Sequence, residues 1–187
     1  MVVSQRATEP RGVQELPPAK KWRAITLATL LLVPGYWAMM VGLVVANSKD
    51  PELDINPAAA IALGLAVVPF VFIVLAFMSE HPRAPGAVLR AMGLALLVGL
   101  PVSAVAGDAV TGIVAGVGAG GIVALRADLP HSLKARAVAV LLAAVYTFVL
   151  VRAAGPVALL PAPILPFTGI GIADHLSERK MAREAED

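Results

Sequence analysis

The chain alternates long apolar runs with short polar breaks, and the runs have the length of a bilayer crossing. A hydrocarbon core about 30 Å thick takes roughly 20 apolar residues of helix to span. Residues 24–46 supply such a run without one charge, and residues 57–78 supply a second. The polar stretch between them holds Pro51 as a breaker and reads as a loop. From Ala87 to Leu125 the sequence stays apolar except at Arg90 and Asp108. That is too long for one crossing and sufficient for two, 87–106 and 109–125, joined by a tight turn at Gly107–Asp108. A fifth run covers 133–151, beginning after Pro130 with Ser132 placed to cap it. The sixth, 156–173, is apolar but interrupted by prolines. The pattern predicts an all-α, polytopic integral membrane protein of about six transmembrane helices, with spans 3, 4 and 6 short or irregular. It divides the chain into a disordered tail over 1–21, a helical bundle over 22–174 and a short tail over 175–187.

Charge gives the bundle a direction. With six spans and both termini in the cytoplasm, only Lys49 and Arg152 of the fifteen Lys and Arg residues fall outside. Four spans would scatter the basic residues over both sides, so the positive-inside rule favours six, with N- and C-termini inside. The plasma membrane is the expected location, and the bilayer the first partner. A cleaved signal peptide would need an apolar core of about 7–15 residues; the first run has twenty-three, 24–46, after a long polar leader. Lys20, Lys21, Trp22 and Arg23 ahead of it read as an interfacial anchor.

Composition narrows the function classes. The chain is 58% apolar and 15% charged, against nearer half and a quarter for a soluble domain. Its mean hydropathy is +0.81. Aqueous enzyme folds are excluded. A net charge of +2 is explained by membrane flanks, so no nucleic acid is expected as a partner. There is no cysteine, which removes thiolate metal sites, iron–sulfur clusters and cysteine nucleophiles. Arg outnumbers Lys ten to five and alanine is abundant, the coding habit of a GC-rich genome.

No G-x-S-x-G, phosphate-binding Gly-rich loop or H-E-x-x-H occurs, so no catalytic residues are assigned and no enzyme is expected. His81, His131 and His175 come from separate loops on one side, each with an acidic neighbour; solvated histidines are the better reading, and neither a metal nor a cofactor is expected. Asp50, Glu52 and Asp54 read as a solvated acidic loop. No span places an Asp, Glu, Lys or Arg near the bilayer middle, which argues against a carboxylate relay. Asp108 reads as a turn cap.

Two patterns remain. Gly112, Gly116 and Gly120 recur every fourth residue and lay bare backbone along one helix face, the signature of close helix packing. Their partner is either the matching stripe Ala91, Ala95 and Gly99 or another subunit, with a pore lining as the third alternative. Separately, at 1.5 Å per residue Pro34 and Pro69 lie about 14–15 Å from the cytoplasmic ends of their spans and Pro101 about 17 Å beyond Arg90, and Pro163 and Pro166 fall at similar depth. Tyr36, Trp37, Tyr146 and Thr147 join this layer. Prolines free backbone carbonyls, and a midplane polar layer of broken helices is how many transporters hold a substrate. Pro161, Pro163 and Pro166 together predict a re-entrant or unwound stretch.

Two functions follow as expectations. The first is a non-enzymatic accessory or scaffold subunit that packs into a larger membrane assembly, with other membrane subunits or a second copy as partners. The alternative is a small permease or pore for a neutral or amphipathic solute, using the proline layer.

Overall fold

A computed structural model describes residues 18–48, 55–126 and 133–184. Among these residues every regular element is helical: α1 (Pro18–Asn47), α2 (Pro57–Met78), α3 (Ala84–Ala106), α4 (Ala109–Ala124), α5 (Leu133–Ala154) and α6 (Pro161–Glu184), with a 3₁₀ turn at Gly155–Leu159 before α6. The expected leader over 1–17, the Asp50, Glu52 and Asp54 loop, Ser132 and His131 lie outside the described residues.

Local chemistry sets the boundaries. Asn56 caps α2, its Oδ1 accepting from the Ala59 N–H at 3.2 Å, and Pro57 fills the first helical position, where a missing N–H costs nothing. Between α2 and α3 the chain reverses through Glu80 at φ 51°. Gly107, at φ 72°, ends α3 in the left-handed region and donates its N–H to the Ser103 carbonyl. Asp108 then caps α4, as its position suggested: Oδ1 accepts from the Thr111 N–H at 2.7 Å and Oδ2 from the Thr111 hydroxyl at 2.9 Å. Asp108→Ala should cost about 1 kcal/mol, read as a drop of a few degrees in the melting temperature of the detergent-solubilised protein.

The helices run up and down. Lys20 of α1 pairs with Glu80 in the α2–α3 turn, and Lys21 pairs with Asp174 of α6. The Arg126 N–H, past the end of α4, donates to Ser79 Oγ at 3.1 Å. These contacts gather the start of α1, the α2–α3 turn, the end of α4 and the polar half of α6 at one end of the bundle, the basic end. At the opposite end Arg152 of α5 donates to the Ala106 carbonyl.

Five of the helices are long and apolar enough to cross a membrane: Lys20–Asn47, Pro57–Met78, Ala84–Ala106, Ala137–Ala154 and Val157–Ser177. Their outward residues are apolar, with Leu89, Leu97 and Val105 of α3 at least 70% exposed. An apolar exterior over helices that satisfy their own backbone is a membrane protein's solution. The described residues are thus all-helical, with helices long and apolar enough to embed the protein in a membrane.

α4 follows the short span expected at 109–125, but its degree of enclosure goes beyond that expectation. It has 16 residues, about 24 Å at 1.5 Å per residue, and only Ala109, Val110, Ile113 and Val123 escape full burial. It is a short central post that α2, α3, α5 and α6 surround. A helix built mostly of Gly, Ala and Val is thin enough to be enclosed on all sides. The main core, around Val71, Phe72, Leu75 and Phe167, lies towards the basic end, and a smaller cluster of Val114, Leu159 and Ala162 lies towards the other.

Three further expectations need correction. Residues 18–21 belong to α1 rather than to a tail, and the polar stretch after 173 continues α6 to Glu184. The three prolines of 161–166 do not unwind the chain. Pro161 and Pro163 fall in the first turn, whose N–H groups have no intrahelical acceptor, so only Pro166 removes a bond. The irregular stretch lies just upstream, at Gly155–Leu159, with Gly155 at φ 60°. Finally, α1, α2 and α3 run unbroken through Pro34, Pro69 and Pro101.

Candidate functional site

The glycine stripe has found an intramolecular partner. Gly112, Gly116 and Gly120 face α3, where a Cβ on Gly112 would overlap the Gly99 carbonyl and the Ser103 side chain. One on Gly116 would overlap the Ala95 carbonyl, and one on Gly120 would lie 2.8 Å from the Ala91 carbonyl and overlap Phe72. The two small-residue stripes, 91–95–99 and 112–116–120, therefore seal against each other. The opposite side of α4 does the same against α6: a Cβ on Gly121 would lie 2.6 Å from Phe167, and one on Gly118 would lie 3.2 Å from Pro166. A second seam, between α1 and α2, escaped the sequence reading. A Cβ on Gly64 would lie 2.6 Å from the Gly35 carbonyl, and one on Gly42 2.8 Å from the Pro57 carbonyl. Gly35 and Gly42 are seven residues apart, a spacing that could have revealed it.

The proline and aromatic layer is not brought together. Pro34 is exposed, and Trp37 is 63% exposed with its ring edge-to-face to Tyr36 at 6.4 Å. Tyr36 and Pro163 share a narrow space of about 40 Å³ between α1, α2, α4 and α6, room for a few waters at most. Pro69 lines a separate apolar groove of about 290 Å³ with Phe72 and Ser103. Pro101 lines a cleft between α3 and α5. Tyr146 and Pro166 line an open recess of about 340 Å³ between α5 and α6. Thr147 is fully buried. The hydroxyls of Tyr146, Thr147 and Thr168 are buried with no hydrogen-bond partner among the described residues; such groups are few in native proteins and each calls for water, a ligand or a partner.

The site that sequence reasoning missed is at the basic end. Lys21, which the sequence places in an interfacial anchor, is 4% exposed, and Asp174, at the expected bundle's last residue, is 1% exposed. Their ion pair ties α1 to α6 inside the protein. Gly171 makes the approach possible, because a Cβ there would lie 2.8 Å from Ile25 of α1. Around it, Arg126 Nη1 donates to the Glu80 carbonyl at 3.3 Å and Ser79 Oγ accepts from the Arg126 N–H. The available signal was charge complementarity: Lys21 is the last basic residue but one before the first apolar run, and Asp174 is the first acid after the last one. Which helices abut was not written in either flank. Among the described residues no three His, Asp or Glu side chains come together as a metal site. His81 accepts from the Arg83 N–H at 3.1 Å through Nδ1.

Each arrangement does a structural job: glycine seams close the bundle and a buried ion pair locks its ends. No known protein family, curated protein or solved structure matches the chain.

Proposed function

We propose that this protein is a non-enzymatic accessory or scaffold subunit of a larger assembly in the plasma membrane, with six helices and both termini in the cytoplasm. The observation that supports the reading is the closed centre. α4 is packed backbone-to-backbone on α3 and against Phe167 of α6, and the space of about 40 Å³ beside Tyr36 and Pro163 is too small for a solute. A bundle sealed this way serves better as a rigid block than as a conduit. The clustering of Lys20, Lys21, Arg83, Arg126 and Arg179 towards one end, with Arg152 at the other, supports the orientation.

The test is purification of the natively expressed protein in gentle detergent, followed by sizing and mass spectrometry. Stoichiometric co-purification with other membrane subunits is expected; a lone monomer or homo-oligomer would sink the accessory reading. One observation favours a second reading, a small permease for a neutral or amphipathic solute: the unpartnered hydroxyls of Tyr146, Thr147 and Thr168. Under it, Tyr146→Phe alters uptake while the fold and any assembly remain intact. Under the accessory reading that substitution leaves assembly and transport untouched.

A further inference from the structure

The cleft between α3 and α5 differs from the other cavities in carrying a charge at one mouth. The two helices barely touch, and the gap they leave measures about 550 Å³, within the range of pockets that hold small molecules. Its walls are apolar: Leu97 and Pro101 on α3, Ala137 and Ala144 on α5, and Val123 of α4 as floor. Ala137 and Ala144 alternate on the α5 side with the larger Val140 and Leu141. At the basic end stands Arg90, the one charged residue of the lining. Its Nε donates to the Gly86 carbonyl at 3.0 Å, and among the described residues it makes no ion pair. Lys134 is exposed in the first turn of α5, one turn before Ala137, and adds a second cation on the same side.

Length selects the occupant. From Arg90 to Pro101 the cleft runs about 17 Å at 1.5 Å per residue, close to one leaflet, about 15 Å of a 30 Å core. An unpaired guanidinium at the headgroup level above an apolar channel one leaflet long is complementary to an acidic head on an acyl chain. We propose that this cleft binds an anionic phospholipid of the surrounding bilayer, its phosphate at Arg90 and one acyl chain laid between α3 and α5. The neighbouring groove beside Phe72 has no charge in its lining, so nothing there selects one lipid over another. The proposal rests on membrane embedding and is independent of the accessory reading.

The experiment is native mass spectrometry of the full chain in neutral detergent, titrated separately with dioleoyl phosphatidylglycerol and dioleoyl phosphatidylcholine. One equivalent of phosphatidylglycerol should be retained with a preference of roughly fivefold, the weight of one basic residue on an anionic lipid. Arg90→Gln should reduce its retention to the phosphatidylcholine level, and Arg90→Lys should keep most of it. Ala144→Leu, or Ala137→Leu should the first variant not fold, should lower retention of both lipids by filling the channel. Equal retention of the two lipids by the unmodified protein overturns the proposal, as does an Arg90→Gln variant that keeps the preference. Displacement of the lipid by excess inorganic phosphate would also overturn it, identifying a free anion as the ligand.

Discussion

Lys21→Met should destabilise the protein by about 3–5 kcal/mol, because it strands the Asp174 carboxylate in a site only 1% exposed. In the detergent-solubilised protein this appears as a melting temperature lowered on the order of 10 °C, at 2–4 °C per kcal/mol for a chain of this size. The double variant Lys21→Met, Asp174→Leu should recover most of the loss, since replacing both members of a buried pair by apolar groups is often neutral. Lys20→Ala gives the internal contrast. Its pair with Glu80 is open to solvent, 42% and 52% exposed, and such pairs contribute about 0–1 kcal/mol. A double variant as unstable as the single one would show that the charge pair itself, and not the avoidance of a lone buried charge, holds α1 on α6.

The ion pair also marks where the sequence stopped being informative. The helices were legible because each is a long run of one character ended by Asn, Pro, Gly or Asp: α2 lies where the apolar run lies, and Asp108 caps the turn its position implied. The α3–α4 seam was legible for the same reason, since two small-residue stripes of equal spacing in adjacent helices have few other ways to pack. Depth along the chain did not carry over into proximity. Pro34, Pro69, Pro101 and Pro163 count to comparable depths along the sequence, yet Pro163 lies beside Gly118 while Pro101 lies beyond Gly99, which meets Gly112, and hydropathy is silent about rotation when a helix is apolar all round. For the same reason the sequence did not show that α4 is enclosed by its neighbours. Lys21 and Asp174 stand in separate flanks of the sequence, while their burial depends on α1 meeting α6, a contact between the first and last helices.

The seam itself yields a prediction with a control. Gly116→Ala should cost about 1–3 kcal/mol, the usual range for overpacking a tight core. The added methyl would meet the Ala95 carbonyl, a backbone group that cannot swing aside as a side-chain tip can. Relief requires α3 and α4 to separate, and that loosens Gly99 on Gly112 and Ala91 on Gly120 together, because the three contacts lie on one rigid stripe. Gly93→Ala, in α3 but with nothing within 4 Å of its added Cβ, should be neutral or stabilising by up to about 1 kcal/mol through helix propensity alone. Thermal unfolding of both variants in the same detergent separates the two effects. If Gly116→Ala melts with or above the unmodified protein while Gly93→Ala behaves as expected, α3 and α4 are not held by close backbone contact, and the closed centre that supports the scaffold reading goes with them. If Gly116→Ala alone is destabilised, and Ala95→Gly restores no stability to it, the obstruction is the carbonyl and not the neighbouring methyl, as the geometry requires.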